Sequence, residues 1–132
     1  MPSRRTVLTA GTLIALSGCA ALSGASARLA GVQLTNTGSA THEFEFTVTV
    51  DRETVYDETH TVAAEADGTT VELDGALPDR QGRITITTAI AGTELSESTT
   101  FDDDSCYDVI VEYTGDNVVH WQSGSSDCDA FR

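Results

Sequence analysis

Apolar and polar residues alternate along most of this chain with a period of two. In His42-Glu43-Phe44-Glu45-Phe46-Thr47-Val48-Thr49-Val50, the residues Phe44, Phe46, Val48 and Val50 fall on one side of an extended backbone, and Glu43, Glu45, Thr47 and Thr49 on the other. That pattern predicts a half-buried strand. Ile84, Ile86 and Ile90 against Thr85 and Thr87 predict another, with Gly82 and Gly92 as punctuation. Shorter Thr- and Val-rich runs at 29–34, 54–62, 69–73 and 94–101 are bounded by turn-forming residues and read the same way. After residue 28 no stretch repeats its apolar positions at helical spacing for three turns. Seven or eight short strands at intervals of about ten residues predict an all-β, antiparallel β-sandwich.

The end of the chain predicts a hairpin. Tyr107, Val109, Val111 and Tyr113 alternate with Asp108, Ile110, Glu112 and Thr114, and the return strand is Asn117 to Gln122. A three-residue loop, Thr114-Gly115-Asp116, pairs Val111 with Val119 and Val109 with Trp121, gathering the large apolar groups on one face. A two-residue Gly115-Asp116 loop would set His120 opposite Val111 instead. The longer loop is expected, with His120 opposite Ile110 on the outer face and Trp121 as a core residue beside Val119 rather than a sugar-stacking platform.

The first 27 residues follow a different pattern. Ser3-Arg4-Arg5-Thr6-Val7-Leu8 carries an arginine pair ahead of an apolar segment, Val7 to Leu16, that is about half the roughly 20 residues a transmembrane helix needs. Leu16-Ser17-Gly18-Cys19 follows. The first motif resembles the twin-arginine (Tat) export signal, with Val7 where that family often has Phe, and the second resembles the lipobox of lipoprotein signals. The resemblance implies export of the folded chain, cleavage before Cys19 and a lipid on the Cys19 thiol, with Arg4 and Arg5 as the export signal and Leu16, Ser17 and Gly18 as the cleavage site. The expected organisation is a signal peptide at 1–18, a lipidated cysteine and flexible tether at 19–27, and one domain at 28–132. The eight small or flexible residues after Cys19 reach at most about 26 Å, which would hold the domain close to the outer face of the cytoplasmic membrane.

Composition adds a setting. All seven basic residues are arginines, lysine is absent, and 21 acids give a formal charge of -14, which becomes -16 once Arg4 and Arg5 are removed. Such a charge repels nucleic acid, which is not an expected partner, and destabilises the compact state at low ionic strength. At molar salt the screening length is about 3 Å and the penalty fades. Acid-rich, lysine-free, threonine-rich chains resemble secreted proteins of salt-loving archaea. Phe44-Glu45-Phe46-Thr47-Val48, Gly75-Ala76-Leu77-Pro78-Asp79 and Cys106-Tyr107-Asp108-Val109-Ile110-Val111-Glu112 resemble the immunoglobulin-like or fibronectin-like sandwich domains of small haloarchaeal lipoproteins. The resemblance implies a fold and an address but no reaction.

Candidate chemistry is sparse. With Cys19 lipidated, Cys106 and Cys128 form an even pair in an exported domain, where a disulfide persists. Closing about 22 residues would stabilise the fold by about 3 kcal/mol. In the longer-loop register Cys106 faces Gly124, so the Gly124-Ser125-Ser126 tail must fold back. Acidic groups at 102–104, 127, 129 and 57–58 offer oxygens for calcium but lack EF-hand spacing, and solvated loops are the simpler reading. His42, His60 and His120 lack the free Cys, nearby His and Met of a blue copper site. No Gly-x-Ser-x-Gly or His-Glu-x-x-His motif occurs, so no catalytic residue, metal ligand or cofactor is assigned. The expectation is a non-catalytic, lipid-anchored surface module that binds an envelope protein or extracellular ligand. A metal- or ligand-binding accessory role through His60 or the acidic loops is the alternative.

Overall fold

A computed structural model describes residues 24–64, 70–73 and 75–131. Eight strands form in chain order: β1 (Arg28–Asn36), β2 (His42–Val50), β3 (Glu53–Val62), β4 (Thr70–Glu72), β5 (Ile84–Ile90), β6 (Ser96–Phe101), β7 (Cys106–Tyr113) and β8 (Val118–Ser125). A short 3₁₀ turn at Cys128–Phe131 follows. They make two four-stranded sheets, ordered β4-β1-β7-β8 and β3-β2-β5-β6, packed face to face as a β-sandwich.

The predicted alternation places the core. Phe44, Phe46, Val48 and Val50 of β2 pack with Ile84, Ile86 and Ile90 of β5, and both sets meet Val32, Leu34, Val109 and Val111 from the opposite sheet. Each buried side chain of this size stabilises the fold by about 1.5–3 kcal/mol relative to exposure. Thr88 is also fully buried, a polar group inside the apolar row of β5.

Turn chemistry fixes the β2–β3 hairpin, whose two loop residues Asp51 and Arg52 both have positive φ, as a two-residue type I′ turn requires. Asp51 also clamps the neighbouring loop: its carboxylate accepts from the Arg83 N–H at 3.0 Å. A β-carbon on Gly82 would come within 2.6 Å of that carboxylate, so a larger residue there would push Asp51 out of its bond to Arg83.

Three features depart from the sequence reading. One pairing is parallel: β1 runs alongside β7, from Arg28 opposite Cys106 to Asn36 opposite Tyr113. The other pairings among the described residues are antiparallel. Alternation specifies which face of a strand is buried, and neither its neighbour nor its direction. The β7–β8 hairpin adopts the two-residue loop, with Thr114 N–H donating to the Asn117 carbonyl at 3.0 Å. Val111 therefore lies opposite His120, Ile110 opposite Trp121, and Cys106 opposite Ser125 rather than Gly124. Lastly, Trp121 is no core residue; it is 57% exposed on the outside of the sandwich.

The physical reason for this register is visible on both faces. Inside, His120 Nε2 meets the Thr88 hydroxyl and Nδ1 the Thr99 hydroxyl, each at 2.9 Å. The half-buried imidazole thereby ties β8 to β5 and β6 of the other sheet. Gly124 lies under the Tyr107 ring, where a β-carbon would approach to 2.8 Å. Outside, the indole N–H of Trp121 donates to the Glu112 carboxylate at 2.9 Å. A one-residue slip would exchange these faces and strand every one of these groups.

The Cys106–Cys128 disulfide forms as expected, with α-carbons 5.2 Å apart. It fastens the start of β7 to the turn after β8. The same end of the sandwich receives the chain entering β1, where Ser26 N–H donates to the Asp103 carbonyl at 2.9 Å.

Candidate functional site

The groups the sequence singles out are dispersed. Arg4, Arg5, Leu16, Ser17, Gly18 and Cys19 lie outside the described residues. Each histidine is engaged with a hydroxyl on its own: His42 with Tyr113 at 3.3 Å, His60 with Tyr56 at 2.7 Å, and His120 with its two threonines. Burial pushes His120 well down, to about 4 from the usual 6.5. Burial, with a contribution from the Glu58 charge, raises Tyr56. Among the described residues no three of His, Cys, Asp and Glu gather as a metal set.

The acidic loops are knitted into turns. Asp103 accepts from the Tyr107 hydroxyl and from Ser105 N–H, which holds its carboxyl below the usual range. The same bond to Asp103 raises the Tyr107 phenol. Asp127 accepts from Asp129 N–H at 2.9 Å. An open concavity of about 680 Å³ lies at this end, beside the disulfide, and Arg28 crosses it to bind Asp79 at 2.8 Å.

The outer face of the β4-β1-β7-β8 sheet has a different character. Register places Glu72, Gln33, Ile110 and Trp121 in one row across all four strands. Thr70, Thr35, Glu112 and Val119 form the next row. Trp121 and Ile110 are cross-strand neighbours, 57% and 38% exposed, and they are the large exposed hydrophobic residues among those described. Glu112 holds the indole by its N–H, so the ring's orientation is set by the domain itself. Gln33 in turn reaches toward Glu72, at 3.4 Å.

An oriented indole beside an aliphatic side chain, rimmed by carboxylates and an amide, can contact apolar or cationic groups with its faces and accept hydrogen bonds at its rim. It presents no nucleophile with a base. Sequence reasoning missed this site because the assumed hairpin register turned Trp121 inward. The signal that could have found it is Gly115 leading the Gly115-Asp116 pair, since glycine in the first central position suits a two-residue type II′ loop; its φ is 99°.

Compared with protein-family models and with curated proteins, the chain matches none.

Proposed function

We propose that this protein is a non-catalytic surface module, exported by the twin-arginine route and held by a lipid on Cys19 to the outer face of the cytoplasmic membrane. Its outer sheet face around Trp121 binds another envelope protein. The observation that carries the reading is that face: an indole and an isoleucine lie side by side in water, while the other large apolar groups among the described residues are buried or partly buried. Desolvating them on a partner recovers hydrophobic free energy that a monomer forgoes.

Two further observations support the address. The Cys106–Cys128 bond belongs to an oxidising compartment, and the chain enters the domain at the disulfide end. Extreme acidity without lysine suits salty surroundings. The accessory metal-binding alternative, through His60 or the acidic loops, gains no comparable support, since His60 is bonded to Tyr56 and Asp103 and Asp127 are engaged within their own turns.

Fractionation tests the anchor: the wild-type chain should pellet with membranes, and Cys19→Ser should appear in the soluble exported fraction. A Cys19→Ser chain that still pellets would contradict lipid anchoring. Crosslinking the wild-type protein in intact membranes should then recover a discrete partner, against a control surface from an unrelated acidic domain. Recovery no different from that control would overturn the binding reading.

A further inference from the structure

The edges of the two sheets are unequally guarded. Edge strands invite pairing by another chain, and folded proteins blunt them with charge, proline or brevity. β3 carries Glu53, Asp57 and Glu58; β6 carries Glu97; β4 has three residues, one of them Glu72. β8 has eight residues, Val-Val-His-Trp-Gln-Ser-Gly-Ser, with neither a charge nor a proline. In a chain with 21 acids this edge is left open.

The hairpin register shows which backbone groups it offers. Thr114 and Asn117 form a hydrogen-bonded pair, so pairs alternate and Val118, His120, Gln122 and Gly124 turn their N–H and C=O groups away from β7. Tyr113 agrees, because its carbonyl accepts from Thr37 on the side opposite β8. Among the described residues no backbone hydrogen bond outside the sheet reaches these four positions.

Charge then selects the occupant. On the outer face beside this edge, Glu72, Asp108 and Glu112 surround the Gln33-Ile110-Trp121 row, with no basic side chain among the outward residues of its four strands from Gly31 to Ser123. A strand laid along β8 would place alternate side chains next to Trp121 on that face. An arginine or lysine there would stack on the indole and meet Glu112. A second copy fits poorly, because antiparallel pairing of two β8 strands sends the tether-bearing ends in opposite directions.

Resting on the reading of this domain as a partner-binding module, we propose that β8 accepts an extended segment of a partner protein as a fifth strand, with an arginine or lysine of that segment laid over the face of the Trp121 ring and reaching the Glu112 carboxylate.

Trp121 is the only tryptophan of the chain, so its emission reports occupancy directly. The full chain, in zwitterionic detergent at the lowest salt that preserves its β spectrum, is titrated with the capped peptide Thr-Val-Arg-Val-Arg-Val-Thr. Parallel titrations use the same peptide with Glu for Arg, and two versions N-methylated on alternate amides, odd or even. A saturable emission shift is expected for the arginine peptide, at least tenfold weaker with the glutamate peptide. One N-methylated version should be silent and the other should bind. Glu112→Gln, an isosteric change, should weaken the arginine peptide several-fold.

No shift at millimolar peptide, equal binding of the glutamate peptide, or equal binding of both N-methylated peptides would overturn the proposal. So would an emission shift that follows protein concentration alone, the mark of a second copy. If the peptides fail while membrane crosslinking still captures a partner, strand addition falls and the binding module stands; if both fail, the module falls as well.

Discussion

The two outer faces of the sandwich share one backbone geometry and differ in how they meet water. On the β3-β2-β5-β6 sheet, Thr85 and Thr100 bring their hydroxyls to 2.9 Å, Thr87 and Ser98 to 3.0 Å, and Thr47 reaches Asp57 at 3.4 Å. Small β-branched side chains keep the strands extended while their hydroxyls satisfy one another and the solvent. On the other sheet, the paired outward positions of β7 and its edge neighbour β8 hold Ile110 and Trp121. Strand formation alone asks for nothing beyond the threonine solution. The tryptophan face therefore carries exposed apolar surface that strand formation does not require, and the proposed binding reading rests on it.

The disulfide belongs to the tryptophan-bearing sheet alone, joining the start of β7 to the turn after β8. Replacing Cys106 and Cys128 with serine should cost about 3 kcal/mol on the chain-entropy account, and lower the melting temperature by roughly 10–20 °C. Hydrogen exchange should show β7 and β8 losing protection before β2 and β5. Equal loss in both sheets would mean the disulfide does not secure this face in particular.

Acid is the next lever, because His120 joins the two sheets. Its folded pKa, about 4, lies below the unfolded value near 6.5, so the unfolded chain binds the extra proton first. Its contribution is therefore whole above pH 6.5 and declines as pH falls to 4. Allowing for the ring's partial contact with solvent, the loss should be on the order of 2 kcal/mol. Denaturant melts at fixed molar salt should show that decline in the wild type and a shallower one in His120→Gln. An unchanged slope in the variant would place the acid sensitivity elsewhere.

Smaller changes separate binding from folding. Trp121→Ala should alter stability by less than about 1 kcal/mol, given its exposure, yet abolish partner capture. Thr87→Val, on the opposite face, should stay within about 0.5 kcal/mol and leave capture intact. Urea midpoints and crosslinking yields on the same preparations check both.

Much of this arrangement is legible along the chain. The alternation over His42–Val50 and Ile84–Ile90 places those strands at their observed limits, because a sheet half in water writes its pleat directly into residue type. The Cys106–Cys128 pair follows from cysteine parity. What alternation leaves open is the identity of neighbours: β1 pairs with β7 across some eighty residues of sequence, and nothing local encodes a parallel partner. The hairpin register was hidden for a related reason. Counting apolar side chains favours Val119 and Trp121 inside, whereas the fold puts His120 inside because Thr88 and Thr99 arrive from the other sheet with hydroxyls for both ring nitrogens. A polar residue whose partners come from distant strands looks solvent-facing until those strands are in place. The candidate site, being the reverse side of that register, was hidden with it.

Face-resolved photo-crosslinking in intact membranes distinguishes the two outer faces as docking surfaces. A photoreactive residue is placed at Ile110 in one chain and at Thr87 in another, so that the two probes sit on opposite outer faces of the same domain. A discrete adduct is expected from position 110 and none above background from position 87, with the 110 adduct lost in the Trp121→Ala chain. Equal labelling from both faces, or labelling from position 87 alone, would contradict the binding reading.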